Sequence, residues 1–330
     1  MTNFEIAEIA KTIDMFDLAS KTRHNLELSD VEKDAVGQLD AWAREIGKTG
    51  KDANHEIAAF ISKTIDTDIY NTPDELLDRM FNRANIGAND DFELEITPKN
   101  TLIAHEAAQG GNVDRSFLDI SVVTPTWKHR QVETDISYAD LSRNGWKSVA
   151  LITTYAKDAL RNAMFTDIFN VVDTGIASGA DNYFTSSGGK LGSTAMDQLA
   201  LYVNDRTDGD GVCVALSKWI QQASKFTGFL SDKMLNDLNR SGRLGEYDGV
   251  SLYPISGARK LGDGNLLLTD NRLFGIAGKI GELDMRGDIR VLQTMDNNKE
   301  NVHLKITGFN YGWAFNDSAL ENMCKIVITS

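Results

Sequence analysis

Cysteine, proline and positive charge are all scarce in this chain, and each shortage removes a class of function. Its 330 residues include two cysteines, Cys213 and Cys324. Each lies inside an apolar run, so free buried thiols in a reducing compartment are expected rather than a disulfide framework or a metal pair. Four prolines are few for this length, which suits a chain held mostly in ordered elements. Lys and Arg number 34 against 48 Asp and Glu, a net charge of −14. A surface of that sign repels a phosphate backbone, and no basic patch stands out, so no dedicated nucleic-acid grip is expected. No stretch approaches the roughly 18 apolar residues of a membrane span. The opening MTNFEIAEIAKTID carries Glu5 and Glu8 and no long apolar run, so no signal peptide is expected. The expectation is a soluble protein made in a cytoplasm.

Motifs that carry chemistry are also missing. Gly47-Lys48-Thr49 has the ending of a phosphate-binding loop, but the first glycine of that motif would fall on Trp42, and the context is a helix end rather than a strand-to-helix turn. His105-Glu106 begins a zinc-helix pattern whose second histidine position is Gln109, so one ligand is absent. Asp205, Asp208 and Asp210, near Gly209 and Gly211, resemble a calcium loop in composition, but Leu216 stands at the twelfth position, where a bidentate Glu is required. No GxSxG occurs, and the five histidines (His24, His55, His105, His129 and His303) are scattered. No catalytic, cofactor-binding or metal site is expected.

What the sequence does have is one long helical stretch, residues 145–178, with no proline and with glycine only near its ends, at Gly145 and Gly175. Val149, Ile152, Ala156, Ala159, Ala163, Phe165, Ile168, Phe169 and Val172 recur mainly at steps of three and four, which predicts one apolar face. At about 1.5 Å per residue the helix is roughly 50 Å long, more than an ordinary compact domain needs. Ala159 and Ala163 are placed on that face, where small residues would let the helix sit close to a sheet.

Residues 1 to about 84 read as helical. Ile6, Ile9, Ile13 and Phe16 form a narrow seam. Ser29 and Glu32 form a capping box before a helix that Gly47 would stop. A third helix is expected over 54–64 and a fourth from Thr72, with Pro73 at its first position. From residue 91 to 96 the chain alternates as a strand does, and residues 117–138 are rich in Val, Ile and Thr. Between them HEAAQGGNVDRS is a polar, glycine-centred tip. Two extended arms around such a tip predict a long β-hairpin leading into the long helix. After a Gly/Ser-rich break at 179–193 come a helix over 194–203, a buried strand over 211–216, and a helix from a Ser217 cap to Lys225. Another helix is expected over 232–239, then a turn at Asp248-Gly249 and a strand to Ile255. A strand over 265–268 and a short helix capped by Asp270 follow, with strands over 289–292, 302–306, 313–315 and 326–328 at the end.

This order of features resembles the major capsid proteins of tailed bacteriophages, the Hong Kong 97-type shell fold shared with encapsulins. The resemblance rests on the hairpin, the arm ending Ile136-Ser137-Tyr138-Ala139-Asp140-Leu141, the long helix, Val212-Cys213-Val214-Ala215-Leu216-Ser217, Gly245-Glu246-Tyr247-Asp248-Gly249-Val250 and the closing VHLKITGFNYGWAFND. It covers about residues 86–330. It implies an α+β fold with a helical N-terminal region (1–85), a peripheral domain beginning over 86–192 with an E-loop hairpin (about 92–138) and spine helix (145–178), an axial domain (193–300), and a return to the peripheral domain (301–330). The function it implies is structural: an icosahedral virion shell of hexamers and pentamers, assembled in a host cytoplasm and enclosing double-stranded DNA without sequence-specific binding. Portal, scaffolding or decoration proteins are the partners it implies, with no membrane and no cofactor. Two other readings stand beside it, an encapsulin-type compartment and a soluble α/β enzyme with a dispersed site.

Overall fold

The computed structural model describes residues 9, 12–49, 54–71, 74–87, 94–96, 98, 102, 106, 121–125, 127–207, 210–226, 245–286, 289–296 and 301–330. Among the described residues the first long elements are helices: α1 (Met15–His24), α2 (Asp30–Thr49), α3 (Asn54–Asn71) and α4 (Glu75–Met80). Asp14 caps α1 by accepting from the amides of Phe16 and Asp17, and Asn25 closes it in the left-handed region at φ 51°. The seam expected through Ile13 and Phe16 is therefore broken at Asp14. The capping box forms: the Ser29 amide donates to Glu32 Oε2 at 2.7 Å, and the Glu32 amide to Ser29 Oγ at 3.3 Å. Gly47 does not stop α2, which continues to Thr49. It is glycine because a Cβ there would lie 2.4 Å from the Ser142 amide nitrogen. Asp74, not Thr72, caps α4, accepting from the amides of Leu76 and Leu77; Thr72 and Pro73 lie outside the described residues.

The expected helical region ends early, because β1 (Phe81–Ile86) is a strand. FNRANI has little β-propensity of its own, and pairing with a neighbouring strand decides its conformation. Next come β2 (Leu94–Ile96), β3 (Ser121–Val123), β4 (Lys128–Ser137), α5 (Tyr138–Asn144), the long helix α6 (Trp146–Gly175), β5 (Tyr183–Ser186), α7 (Ser193–Asn204), β6 (Gly211–Leu216) and α8 (Ser217–Ala223). From residue 245 on, the described elements are strands: β7 (Glu246–Tyr247), β8 (Val250–Ile255), β9 (Arg272–Ala277), β10 (Gly281–Arg286), β11 (Arg290–Asp296), β12 (Asn301–Phe315) and β13 (Met323–Ile328). The turn between β7 and β8 is at Asp248 and Gly249, both with positive φ (47° and 83°). The short helix expected after Asp270 is instead β9. After Arg272, LFGIA is a five-residue apolar run that periodicity alone cannot assign, and in the fold it is a buried interior strand. The strand expected over 265–268 reduces to a single bridge, Lys260 with Leu266. The helix expected over 232–239 lies outside the described residues.

Two sheets carry the architecture. The first has the order β1-β10-β12-β11, with β4 on the other side of β12. Two strands expected at 302–306 and 313–315 are one, since β12 runs unbroken through a register shift between Ile306 and Phe309, with Gly308 at φ 95°. The second sheet has the order β5-β13-β9-β6-β8-β7. Residues 281–296 thus pair in the first sheet, and the last strand pairs in the second. At its centre Cys213 and Cys324 flank Gly275 from either side. A Cβ on Gly275 would lie 2.6 Å from Cys324 Sγ and 2.9 Å from atoms of Leu199 and Val203, so the glycine lets α7 sit down on the sheet. One continuous core joins both sheets, α6 and the N-terminal helices.

The long helix buries most of the face its periodicity predicts, Val149, Ala156, Phe165, Ile168, Phe169 and Val172, together with further positions beside it. Val149, Ala150, Thr153, Ala156, Lys157, Leu160, Met164, Phe165, Ile168, Phe169 and Val172 are buried, whereas Ala159 is exposed and Ala163 half-buried. Ala159, being exposed, does not seat the helix on a sheet.

Candidate functional site

The residues weighed for chemistry stay apart. Lys48 lies at the end of α2, Asp205 caps the end of α7, and Asp210 is exposed just before β6. His105, Gln109 and Asp208 lie outside the described residues. His129 and His303 both stand on the β4–β12 pair, each with its own partners. His303 Nδ1 is 2.7 Å from Asp135 Oδ1, and His129 Nδ1 is 2.6 Å from Asn310 Oδ1. Among the described residues no group of three or more His, Cys, Asp or Glu is placed to hold a metal ion. Burial pushes the Cys213 thiol up to about 12 and that of Cys324 up as well. Both are held as unreactive thiols in the sheet core.

What the sequence does build is a strut fastened at several points. Gly145 precedes α6 with φ +54° and no side-chain cap of its own. Its cap comes from another helix: the Trp146 amide donates to Asp40 Oδ1 of α2 at 3.1 Å. A Cβ on Gly145 would collide with that carboxylate, so glycine is needed for the approach as well as for φ. The Trp146 indole donates to Thr22 Oγ1 at 3.3 Å, and the Phe60 ring meets it edge-on at 5.2 Å. Further along, Arg23 pairs with Asp158 at 2.8 Å while lying 4.3 Å over the Tyr155 ring, and Arg161 pairs with Asp74.

The same helix grips both sheets. Asp167 accepts from Arg130 Nη2 of β4 and from the Tyr311 hydroxyl of β12, each at 2.5 Å. Burial, then the bond to Asp167, pushes the Tyr311 hydroxyl up. Near the C-terminal end Asp173 accepts from Lys325 Nζ at 3.0 Å and from Arg272 Nε at 3.2 Å, and both partners belong to the second sheet. Buried polar groups along the helix are also satisfied. Thr153 and Thr154 donate back to Val149 and Ala150 carbonyls, and Asn162 Oδ1 accepts from Arg259 at 2.6 and 3.0 Å. Sequence reasoning missed Asp40, Asp167 and Asp173, because carboxylates whose partners lie 37 to 152 residues away leave no local spacing.

The arms of the expected hairpin meet where they leave the body. Leu94 pairs with Val123, Glu95 with Val122 and Ile96 with Ser121, antiparallel. This base rests on the first sheet. Ile96 packs on Ala314, and the Trp127 ring and Pro125 lie 3.1 and 3.2 Å from where a Cβ on Gly312 would be. The tip expected over 105–116 lies outside the described residues except for the exposed Glu106.

A family model described as "SPbeta prophage-derived putative capsid protein YonB" matches residues 6–310. No curated protein matches in sequence. Among solved structures, the capsid of a native GTA particle is 13% identical, with a TM-score of 0.53 over 77% of this chain and 90% of the other. A chain from Gordonia phage Cozz is also 13% identical, with a TM-score of 0.52 over 76% of this chain and 85% of the other. At that identity the likeness is one of fold.

Proposed function

Since this chain belongs to the YonB capsid-protein family and has the phage shell fold, it is a structural virion protein that self-assembles rather than an enzyme, and we propose that its copies close into an icosahedral shell of hexamers and pentamers around double-stranded DNA. In this reading the first sheet with α6 is the peripheral domain. The second sheet, with α7 and α8, is the axial domain that packs around the symmetry axes. Of the expected hairpin of about 92–138, the part that precedes β4 is the E-loop reaching a neighbouring subunit, and the helices α1–α4 are a docked N-terminal region. Portal, scaffolding and decoration proteins are its further partners, and assembly takes place in the host cytoplasm.

The observation that supports this reading best is the strut itself. A 30-residue helix is pinned to both sheets by Asp167 and Asp173, yet it keeps Tyr155, Ala159, Asn170 and Val171 exposed along its length. A rigid plate that leaves these side chains exposed suits repeated contact between copies, whose individually weak contributions sum over a closed particle. The net charge of −14 suits a container that holds DNA with few phosphate contacts. Size-exclusion chromatography and negative-stain microscopy of the purified protein test it. Rings or closed particles of megadalton size are expected, and a small oligomer at every concentration would overturn the shell reading.

A further inference from the structure

Asp284 lies in β10 and is 4% exposed. On its face of the first sheet the flanking residues are Ala84 of β1 and Gly312 of β12, its register partners. Neither has a side chain that covers it. The cover comes from the base of the hairpin: Trp127 and Pro125 sit on Gly312, and Ile96 packs on Ala314, the register partner of Glu282. A carboxylate therefore lies under a mainly apolar roof made by the base of the hairpin. We propose that Asp284 is a proton-operated latch for the hairpin: protonated, it lies beneath the seated base, and ionised, it favours lifting of Ile96, Pro125 and Trp127 from the sheet.

The surroundings give the direction. Burial, and then the like charge of Glu282, push the Asp284 carboxyl up to about 6, against a smaller opposing hydrogen bond from the Ala84 backbone. Along β10 the other charged residue on this face is Arg286. From β1 the face presents Asn82, Ala84 and Ile86, and from β12 Asn310, Gly312 and Ala314, none of them titratable. From β4 it presents His129, engaged with Asn310 and Thr307. None of the roof residues Ile96, Pro125 and Trp127 is titratable, and Trp127 carries a buried indole N–H. A group whose pKa is raised by the seated state binds its proton more tightly there. Seating is thus favoured at low pH, weakens as pH rises from the ordinary carboxylate range to about 6, and changes little above that. At neutral pH the latch is poised toward release. The inference rests on the single chain and holds whatever the shell geometry is.

Hydrogen exchange of full-length protein at pH 5 and pH 7.5, corrected for intrinsic rates, tests it on peptides covering 94–96 and 121–127. Protection of those peptides is expected to fall roughly tenfold or more between the two pH values, while the body of the sheet changes little. In Asp284→Asn, neutral at both, protection at pH 7.5 should match that at pH 5. A flat wild-type profile, or the same fall in Asp284→Asn, would overturn the latch. Should Asp284→Asn lose its fold by circular dichroism, Glu282→Gln serves instead. Removing that neighbouring charge must move the wild-type midpoint to lower pH, and an unmoved midpoint overturns the proposal.

Discussion

Lys157 places an ammonium where a shell subunit has most to lose. It is 6% exposed in the middle of α6, with its nitrogen 3.5 Å from the centre of the Phe16 ring. Burial, then the nearby Arg161, push its pKa down to about 8. A cation depressed in this way makes the folded state bind fewer protons than the unfolded one. Stability should therefore be lower below about pH 8 and rise as pH climbs from there toward the unfolded value of 10.5. Lys157→Met keeps the volume and loses the charge, so at pH 7 it should gain on the order of 1–3 kcal/mol and lose the alkaline rise. Thermal melts of both proteins at pH 7 and 9.5 check this; equal melting temperatures at pH 7 would show the ammonium to be well solvated. Lys157 is also one of the buried polar positions of α6 that the apolar spacing did not reveal. Thr153, Thr154, Lys157 and Asn162 are buried while Tyr155, Ala159 and Val171 are exposed. A helix covered on several sides has weak amphipathic contrast, and its polar buried residues are excused only by partners that spacing does not reveal.

Elements were legible where their signals are local. The Ser29–Glu32 box, the Asp248-Gly249 turn, the apolar strand 211–216 and the length of α6 all follow from residues within one or two turns of each other. β1 and β9 were not legible, since each is a strand through its partners. The relation of the N-terminal helices to the rest is likewise a tertiary matter. Asp40 caps α6, Arg44 donates to the Ser142 carbonyl at 3.3 Å, and Ser62 Oγ donates to the Ile289 carbonyl at 2.5 Å. Residues of α2 and α3 also fill the common core. These helices are part of the folded body, so loss of the Asp40 cap should be felt globally. Asp40→Ala is expected to cost about 1–2 kcal/mol of overall stability, read as a single shifted transition by circular dichroism. A change confined to the N-terminal region, with the melt of the rest unmoved, would show the two parts to be independent.

On the scale of the whole molecule, folding and assembly should separate cleanly by mutation. Ala159 is exposed on the strut, so Ala159→Trp should leave the melting temperature of the subunit nearly unchanged while reducing particle yield in sedimentation velocity. A loss of subunit stability instead would return Ala159 to the core. The hairpin gives the stronger test. Residues 107–114 have Val113 as their one large apolar side chain, and two adjacent glycines. A segment of that composition adds little to its own subunit's core, and shortening a loop costs little in closure entropy. The base that holds it, Ile96 with Ala314 and Trp127 on Gly312, lies well away in sequence and is left intact. In a shell every copy repeats the contact made by the tip, so a loss of about 1–2 kcal/mol per contact is multiplied around the particle. Replacing 107–114 with a two-residue Asn-Gly turn should therefore give a folded subunit that no longer closes into shells. Circular dichroism and sedimentation velocity on one sample decide the matter. Normal particles would mean that the hairpin is no clamp between subunits, and an unfolded subunit would place the segment in the core.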